Sequence, residues 1–197
     1  MKKCILLLCF ITTVSICEAQ RQKTFGFRGG TQFTQVSNAN LDTKTGFYLG
    51  LFGNFKLSEF YALQPELGYA LHGGESDLMS EANIDLHYIS LSVANKFFVK
   101  NSGFHFIVAP GLYFDTDDTL VGLANRTEGN NVSFIDVTLG LGVGYVLNNG
   151  LGFEARYIQG AVDVFSGTFN SFESEQLDYE TQLNSGIQLG LFYQFNF

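Results

Sequence analysis

The chain has 197 residues, of which 46% are hydrophobic and only 15% are charged, whereas an average soluble protein is about 25% charged. No apolar run after residue 20 approaches the roughly 20 residues that a membrane-spanning helix needs, so the apolar residues are dispersed. The formal net charge of −8 argues against a nucleic-acid partner and against docking on anionic lipid.

Residues 1–19 have the features of a secretory signal peptide. Two lysines at the start are followed by an apolar stretch over residues 4–16, and Ala19 precedes the expected cleavage point. That stretch is too short to span a membrane as a helix. We therefore expect one domain over residues 20–197, without disulfides or thiol chemistry, because all three cysteines lie in the removed segment: Cys4, Cys9 and Cys17.

Strict alternation of apolar with small or polar residues dominates the rest of the chain, as expected for half-buried strands. In residues 61–72 every odd position is apolar or aromatic, and the even positions run from Ala62 through Glu66 to His72. The pattern recurs in eight segments of about the length that a tilted membrane strand requires. These segments cover residues 25–34, 47–56, 61–72, 89–97, 104–115, 135–145, 151–160 and 183–197.

The connections between these segments alternate in length. Short turns are predicted at residues 57–60, 100–103 and 148–150, and long loops at residues 37–45, 73–85, 116–132 and 161–180. Short turns on one side and long loops on the other are typical of an outer-membrane barrel. The predicted fold is all-β: an eight-stranded antiparallel up-and-down transmembrane β-barrel, with both termini periplasmic and the long loops extracellular.

Three positions fit this pattern poorly. Pro65 and Pro110 lie inside predicted strands, and proline cannot donate a hydrogen bond to the strand ladder. We expect a bulge or a local break at each. In the fourth segment the alternation blurs, because Tyr88 and Ile89 are adjacent.

Alternation alone does not say which face points outward, so a soluble secreted lipid-binding barrel is an alternative. The water-exposed face of a soluble barrel carries many charges, whereas the polar face here is mostly small and uncharged. Small residues suit the lumen of a narrow barrel, which favours lipid outside. Many glycines lie on this face: Gly26, Gly30, Gly50, Gly68, Gly111, Gly140, Gly142, Gly144, Gly152, Gly160, Gly186 and Gly190.

Several short segments resemble the porin-like outer-membrane β-barrel family of diderm bacteria, in its small eight-stranded form. They are Gly46-Phe-Tyr-Leu-Gly, Leu63-Gln-Pro-Glu-Leu-Gly-Tyr, Ala109-Pro-Gly-Leu-Tyr, Gly140-Leu-Gly-Val-Gly-Tyr and Glu154-Ala-Arg-Tyr. The resemblance covers essentially the whole chain after residue 19 and implies an integral protein of the outer membrane, in contact with its lipid. The last strand, which ends in Phe197, resembles the signal that such proteins offer to the barrel-assembly machinery. The resemblance says almost nothing about activity.

Five charged residues are predicted to face the lumen: Arg28, Lys56, Glu66, Glu154 and Arg156. In an eight-stranded barrel the third and seventh strands lie opposite each other, so Glu66 is expected to meet Arg156. We interpret the group as an ion-pair network that plugs the lumen, because buried charges require partners. A selectivity filter in a small pore, or proton and substrate chemistry, are the alternatives. Large side chains share the predicted lumen: Tyr48, Phe52, Tyr113 and Phe192.

No catalytic, cofactor or metal site is predicted. His72 and His87 lie near the rim with Asp85, but His72 is expected to point inward and His87 outward, so they do not converge. The acidic start of the third long loop lacks the spacing of a Ca²⁺-binding loop: it contains Asp115, Asp117 and Asp118.

The sequence therefore predicts a structural or surface-interaction barrel closed to solutes, without enzymatic activity and without a cofactor. Its partners are expected to be outer-membrane lipid and an extracellular partner at the acidic loops. A small, weakly selective diffusion pore is the main alternative. An enzyme at the outer rim is a further one.

Overall fold

The computed structural model describes residues 22–38, 42–75, 84–116, 133, 135–164 and 181–195. These residues form eight strands that close into one barrel, each strand pairing with its neighbours in sequence and the last with the first. All eight pairings are antiparallel, which confirms the predicted fold class. The strands are β1 (Gln22–Val36), β2 (Asp42–Lys56), β3 (Tyr61–Glu75), β4 (Ile84–Phe98), β5 (Phe104–Asp115), β6 (Ile135–Val146), β7 (Leu151–Asp163) and β8 (Leu183–Phe195).

The predicted inward and outward faces are confirmed. In β2, for example, Leu51 is 65% exposed on the outer face and its neighbour Phe52 is 4% exposed in the lumen. Because successive side chains of a strand point to opposite faces, this alternation covers the outside of the barrel with apolar side chains. Within the described residues, no helix is long and apolar enough to cross a membrane.

Two of the predicted long loops, 37–45 and 73–85, are shorter in the structure because the flanking strands extend into them. The pairing of β1 with β2 continues to Thr34 opposite Lys44, so the predicted loop 37–45 shrinks to residues 37–41 between the strands. The other three long connections remain long, at residues 76–83, 116–134 and 164–182, against 57–60, 99–103 and 147–150 on the opposite side. We call the two ends of the barrel the long-loop end and the short-turn end.

The blurred alternation of the fourth strand has a simple explanation. β4 begins at Ile84, five residues before the predicted start at Ile89. Tyr88 is 1% exposed in the lumen, and Ile89 is 40% exposed on the outside. A single in-and-out alternation along β4 thus accounts for both residues. The aromatic side chain of Tyr88 lies at an inward position.

Both prolines interrupt the strand ladder without shifting it. Between β2 and β3 the pairing passes from Phe52 opposite Glu66 to Phe55 opposite Leu63, and it skips the pair that contains Pro65. Between β4 and β5 it skips the pair that contains Pro110 in the same way. We expected a bulge or a local break at each proline, and the structure has a local break at both.

A lipid-side asparagine repairs the break at Pro110. The Asn95 amide nitrogen donates to the carbonyl oxygens of Val93 and Val108, each at 3.1 Å, and its oxygen accepts from the Tyr61 hydroxyl at 2.7 Å. The Val93 carbonyl lies opposite Pro110 in this register and would otherwise face an apolar environment without the amide hydrogen that proline lacks. The side chain thus replaces part of the missing ladder.

Register shifts are confined to the long-loop end. One lies between Thr43 and Tyr48 in the β2–β3 pair, and one between Gln159 and Asp163 in the β7–β8 pair. At the second, the Asp136 carboxylate accepts from the backbone nitrogens of Ala161 and Val162, at 3.3 and 3.2 Å. The carboxylate binds amide hydrogens that the irregular ladder leaves available.

The charged cluster in the barrel lumen

Four of the five predicted lumen charges come together near mid-height of the barrel. Arg28 projects from β1, Glu66 from β3, and Glu154 and Arg156 from β7, and all four residues are buried. Alternation places each on an inward position, and closure of the barrel brings three strands that are distant in sequence around one narrow space. We call these four residues the charge ring.

The charge ring is a closed cycle of alternating sign. Arg156 donates through both terminal nitrogens to Glu66, at 2.8 and 2.7 Å, and also to Glu154 at 3.0 Å. Arg28 donates to Glu66 at 2.9 Å and to Glu154 at 2.6 Å. Each arginine therefore contacts both glutamates, and the four formal charges cancel.

Two neighbouring polar side chains donate hydrogen bonds to the same carboxylate oxygens of Glu66 that the arginines bind. Gln64 donates to one carboxylate oxygen at 2.7 Å, and Ser92 donates to the other at 3.1 Å. Removing a carboxylate from water is costly unless its lone pairs are bound. The side chains that bind Glu66 meet this requirement and come from four strands, β1, β3, β4 and β7.

Amide side chains extend the network to both sides of the charge ring. Arg28 donates to Gln188 at 3.1 Å, Gln188 donates to Gln32 at 3.0 Å, and Gln32 donates to the Leu71 carbonyl at 2.5 Å. On the other side Asn54 donates to Gln64 at 2.9 Å. Continuous hydrogen bonding thus crosses the lumen.

Toward the long-loop end an aromatic layer covers the charge ring. The Tyr48 ring lies 4.6 Å from the Arg28 guanidinium carbon, a cation–π contact. His72 stands edge-on to Tyr88 and to Tyr113, with ring centroids 5.4 Å apart in both cases. Apolar side chains complete this layer: Val36, Ala70, Leu86, Ile158 and Val164.

Toward the short-turn end lies a second aromatic layer around a buried lysine. The Lys96 ammonium is 4.5 Å from the centroid of the Phe192 ring and 5.7 Å from that of Phe52. Lys96 is 1% exposed, and among the described side chains no carboxylate forms an ion pair with it. Alternation places Lys96 on the inward face, but sequence reasoning did not include it in the cluster.

Lys56, the fifth predicted member, lies apart from the charge ring. It is at the end of β2, opposite Ala62, four residues along β3 from Glu66. Its ammonium lies 5.4 Å from the Phe98 ring centroid. Lys56 faces inward as expected. Alternation along a strand determines which face a side chain points to, but not its height along the barrel axis. Lys56 therefore lies half-buried at the short-turn end.

The lumen glycines make room for large side chains from neighbouring strands. A Cβ at Gly152 would overlap the Phe192 ring, and one at Gly190 would overlap the Tyr48 hydroxyl. Rings therefore lie flat across glycine positions and fill the space between the strands. Beside the charge ring the structure has a cavity of only about 10 Å³, bordered by Tyr48, Tyr113 and Gln188, which is about enough for one water molecule.

The rim residues do not form a catalytic couple. His72 is buried in the lumen, whereas His87 lies on the outside and hydrogen-bonds the Tyr69 hydroxyl, which confirms the predicted divergence. Lys44 forms an ion pair with Asp85.

The described residues also contain no group of histidine, cysteine, aspartate and glutamate side chains that could hold a metal ion. Asp115 is buried in the lumen. Asp117 and Asp118, the other acidic residues of that loop start, lie outside the described residues.

Comparison with known proteins agrees with this architecture. A family model described as "Outer membrane protein beta-barrel domain" matches residues 4–195. The outer membrane protein Ail of Yersinia pestis, solved in a phospholipid nanodisc, is 14% identical over 88% of this chain and 100% of its own, with a TM-score of 0.52. Neisserial surface protein A is 13% identical over 87% and 97%, with a TM-score of 0.51. No curated protein matches the chain.

Proposed function

Because the chain belongs to the outer membrane protein beta-barrel domain family, we propose that it is a structural or surface-interaction barrel whose lumen is closed by its own side chains. Bacterial outer-membrane barrels of eight strands have interiors that side chains can fill. The proposal therefore depends on what occupies the lumen of this particular chain.

The charge ring is the observation that carries the proposal. An ion that entered the lumen would have to separate Arg28 or Arg156 from the glutamates, in a space where little water screens the charges. Aromatic layers lie on both sides of the ring, around Tyr48 and around Phe192. Three successive obstacles of different chemistry support a closed barrel over a diffusion pore.

The absence of enzymatic activity is part of the same proposal. The buried carboxylates of the charge ring are fully engaged with arginine. A general acid or base must reach a substrate proton directly or through one water. The small cavity beside Glu66 offers no room for a substrate in the described part of the lumen.

The ends of the barrel support the proposed orientation. β1 begins and β8 ends at the short-turn end, where Phe25 pairs with Phe195. In outer-membrane barrels short turns face the periplasm, so we place both termini there and the long loops outside the cell. Residues 1–19, the proposed signal peptide, and Phe197, the proposed contact for barrel assembly, lie outside the described residues.

The long-loop end is the proposed surface for an extracellular partner. Acidic residues mark this end of the strands, among them Asp42, Asp85 and Asp163. The predicted loops that follow are also acidic in sequence. A partner with a basic surface would suit this charge.

Conductance across a planar lipid bilayer tests the closed lumen. The folded protein is expected to insert without producing steady current, while a wide porin added to the same bilayer reports that insertion and recording work. A stable ohmic current from the wild-type chain would instead establish the diffusion pore. Fractionation provides a separate test, since recovery as a soluble periplasmic monomer would contradict the membrane location.

A further inference from the structure

The chain has three histidines, and two of them are buried inside the barrel. His72 lies in the aromatic layer toward the long-loop end, and neither of its ring nitrogens has a hydrogen-bond partner among the residues that the structure describes. The rings that face it are Tyr88 from β4 and Tyr113 from β5. Two buried carboxylates lie at the same end of the lumen: Asp115 on β5, opposite Tyr88, and Asp136 on β6, which Asn184 binds together with the Tyr88 hydroxyl. A positive imidazolium at this position would have no acceptor within hydrogen-bond distance of its two N–H groups in the described part of the chain.

His105 occupies the corresponding place toward the short-turn end and is completely buried. Its Nδ1 lies 3.0 Å from the Gly103 carbonyl oxygen, so Nδ1 carries the hydrogen, and no described residue is a hydrogen-bond partner of Nε2. Phe98 and Phe192 flank the ring. The charged groups that act on it are Lys96, Glu154 and Arg156, of which the glutamate is already paired with both arginines of the charge ring.

We propose that His72 and His105 form an acid-sensitive pair that makes the closed lumen less stable as the surroundings become mildly acidic. Among the described residues neither ring has an acceptor ready for a second N–H, so a proton taken up in the folded barrel would be unpaired. In the unfolded chain both rings are in water and take up protons below about pH 6.5. Acid therefore favours the unfolded chain, and it also favours the opening of the lumen that precedes complete unfolding.

The sign and the window of the effect follow from proton linkage. Stability falls with decreasing pH wherever the unfolded state binds more protons than the folded state. Two histidines that protonate only on unfolding raise the unfolding constant about 100-fold between pH 7.5 and 5.5, and one histidine raises it about tenfold. The paired carboxylates Glu66 and Glu154 contribute only at lower pH, because free glutamate titrates near about 4.3.

His87 provides a matched control in the same chain. It lies on the outer face with its Nδ1 on the Tyr69 hydroxyl and outside the lumen. His72→Phe and His105→Phe keep a ring of similar size at each buried position. Because each protein is compared with itself at two pH values, any constant loss of stability in a variant cancels.

Urea unfolding in lipid vesicles at pH 7.5 and pH 5.5 tests the proposal, read by circular dichroism and gel mobility because the chain has no tryptophan. Wild type and His87→Phe are expected to show the 100-fold change, each buried single variant a tenfold change, and the double variant almost none. A wild-type ratio near one would overturn the proposal, as would an undiminished ratio in the double variant.

Nitrogen NMR of the imidazoles in the folded wild type tests the same idea without any substitution. At pH 5.5 the rings of His72 and His105 are expected to remain neutral. Titration of the His72 and His105 rings near pH 6.5 would overturn the proposal even if the variants failed to fold. Conductance of the folded barrel at pH 7.5 is a separate measurement, so failure of the closed lumen and failure of the histidine pair can be told apart.

Discussion

Glu66 on β3 and Arg156 on β7 meet across the full width of the barrel in a bidentate ion pair, with nitrogen–oxygen distances of 2.8 and 2.7 Å. Such parallel hydrogen bonds fix orientation as well as distance. The two residues are 90 positions apart in the chain. Their pairing is therefore a property of the closed barrel, and it can be measured.

Breaking this pair from one side should destabilise the barrel strongly. Glu66→Ala and Arg156→Ala each leave an unbalanced buried charge and are expected to cost about 3–5 kcal/mol. The double variant removes one charge of each sign and leaves Arg28 with Glu154 at 2.6 Å, so its cost should be well below the sum.

The free energy of unfolding in vesicles measures this coupling. Lys56→Ala is the control, because Lys56 lies outside the charge ring, and it should cost no more than about 1 kcal/mol. Strict additivity of the two ring substitutions would contradict a direct contact between Glu66 and Arg156.

Replacing Lys96 should change the stability of the barrel in the opposite direction to replacing an arginine of the charge ring. Its buried ammonium contacts two aromatic rings, and no carboxylate of the described residues forms an ion pair with it, so its desolvation is only partly compensated. Lys96→Met keeps much of the side-chain volume and is expected to leave stability unchanged or to raise it. Arg156→Met, measured in the same unfolding assay, should be strongly destabilising. A comparable loss from both changes would show that the ammonium is well compensated.

A charged side chain on the outer face should lower the free energy of unfolding. Leu141 is 48% exposed among apolar neighbours, and Leu141→Arg is expected to cost about 2–4 kcal/mol if the position lies near the bilayer midplane. Leu141→Ile is the control and should be close to neutral. Equal stability of all three proteins in lipid vesicles would mean that this face does not contact lipid.

A methyl group in the lumen should also be costly, as in Gly142→Ala. The structure leaves no space, because a Cβ at Gly142 would overlap the Ala155 carbonyl oxygen and press on Arg156. We expect a loss of about 1–3 kcal/mol from overpacking. Gly53→Ala is the control, since a Cβ there meets only ring atoms at 3.5 Å. Equal tolerance of both changes in the unfolding assay would contradict the packed lumen.

The repair of the ladder by Asn95 can be tested against the proline that requires it. Asn95→Leu removes the donor to the Val93 and Val108 carbonyls and is expected to cost about 1–3 kcal/mol. Restoring a backbone N–H with Pro110→Val should reduce that cost in the double variant. Unfolding free energies of the four proteins give the coupling, and an unchanged cost of Asn95→Leu would show that the two residues act independently.

Strand phase is the part of this protein that could be predicted from sequence. An alternating segment such as residues 61–72 has one apolar and one polar face in any strand context, because successive side chains point in opposite directions. That local rule was sufficient for the eight strands, the outward face of Leu51, the inward face of Arg28 and the divergence of His72 from His87. It also placed Lys96 inside, although without a reason to single it out.

Only the tertiary structure determines how high a side chain lies along the barrel axis, which residues it contacts and how much space surrounds it. Lys56 and Arg28 share an inward phase, yet strand register leaves Lys56 at the short-turn end and brings Arg28 into the charge ring. Likewise, no local pattern reveals that Gly142 lies against Arg156. These relationships depend on hydrogen-bond register between strands and on closure of the barrel, which join residues far apart in sequence. Alternation repeats every two residues and therefore carries no information about either.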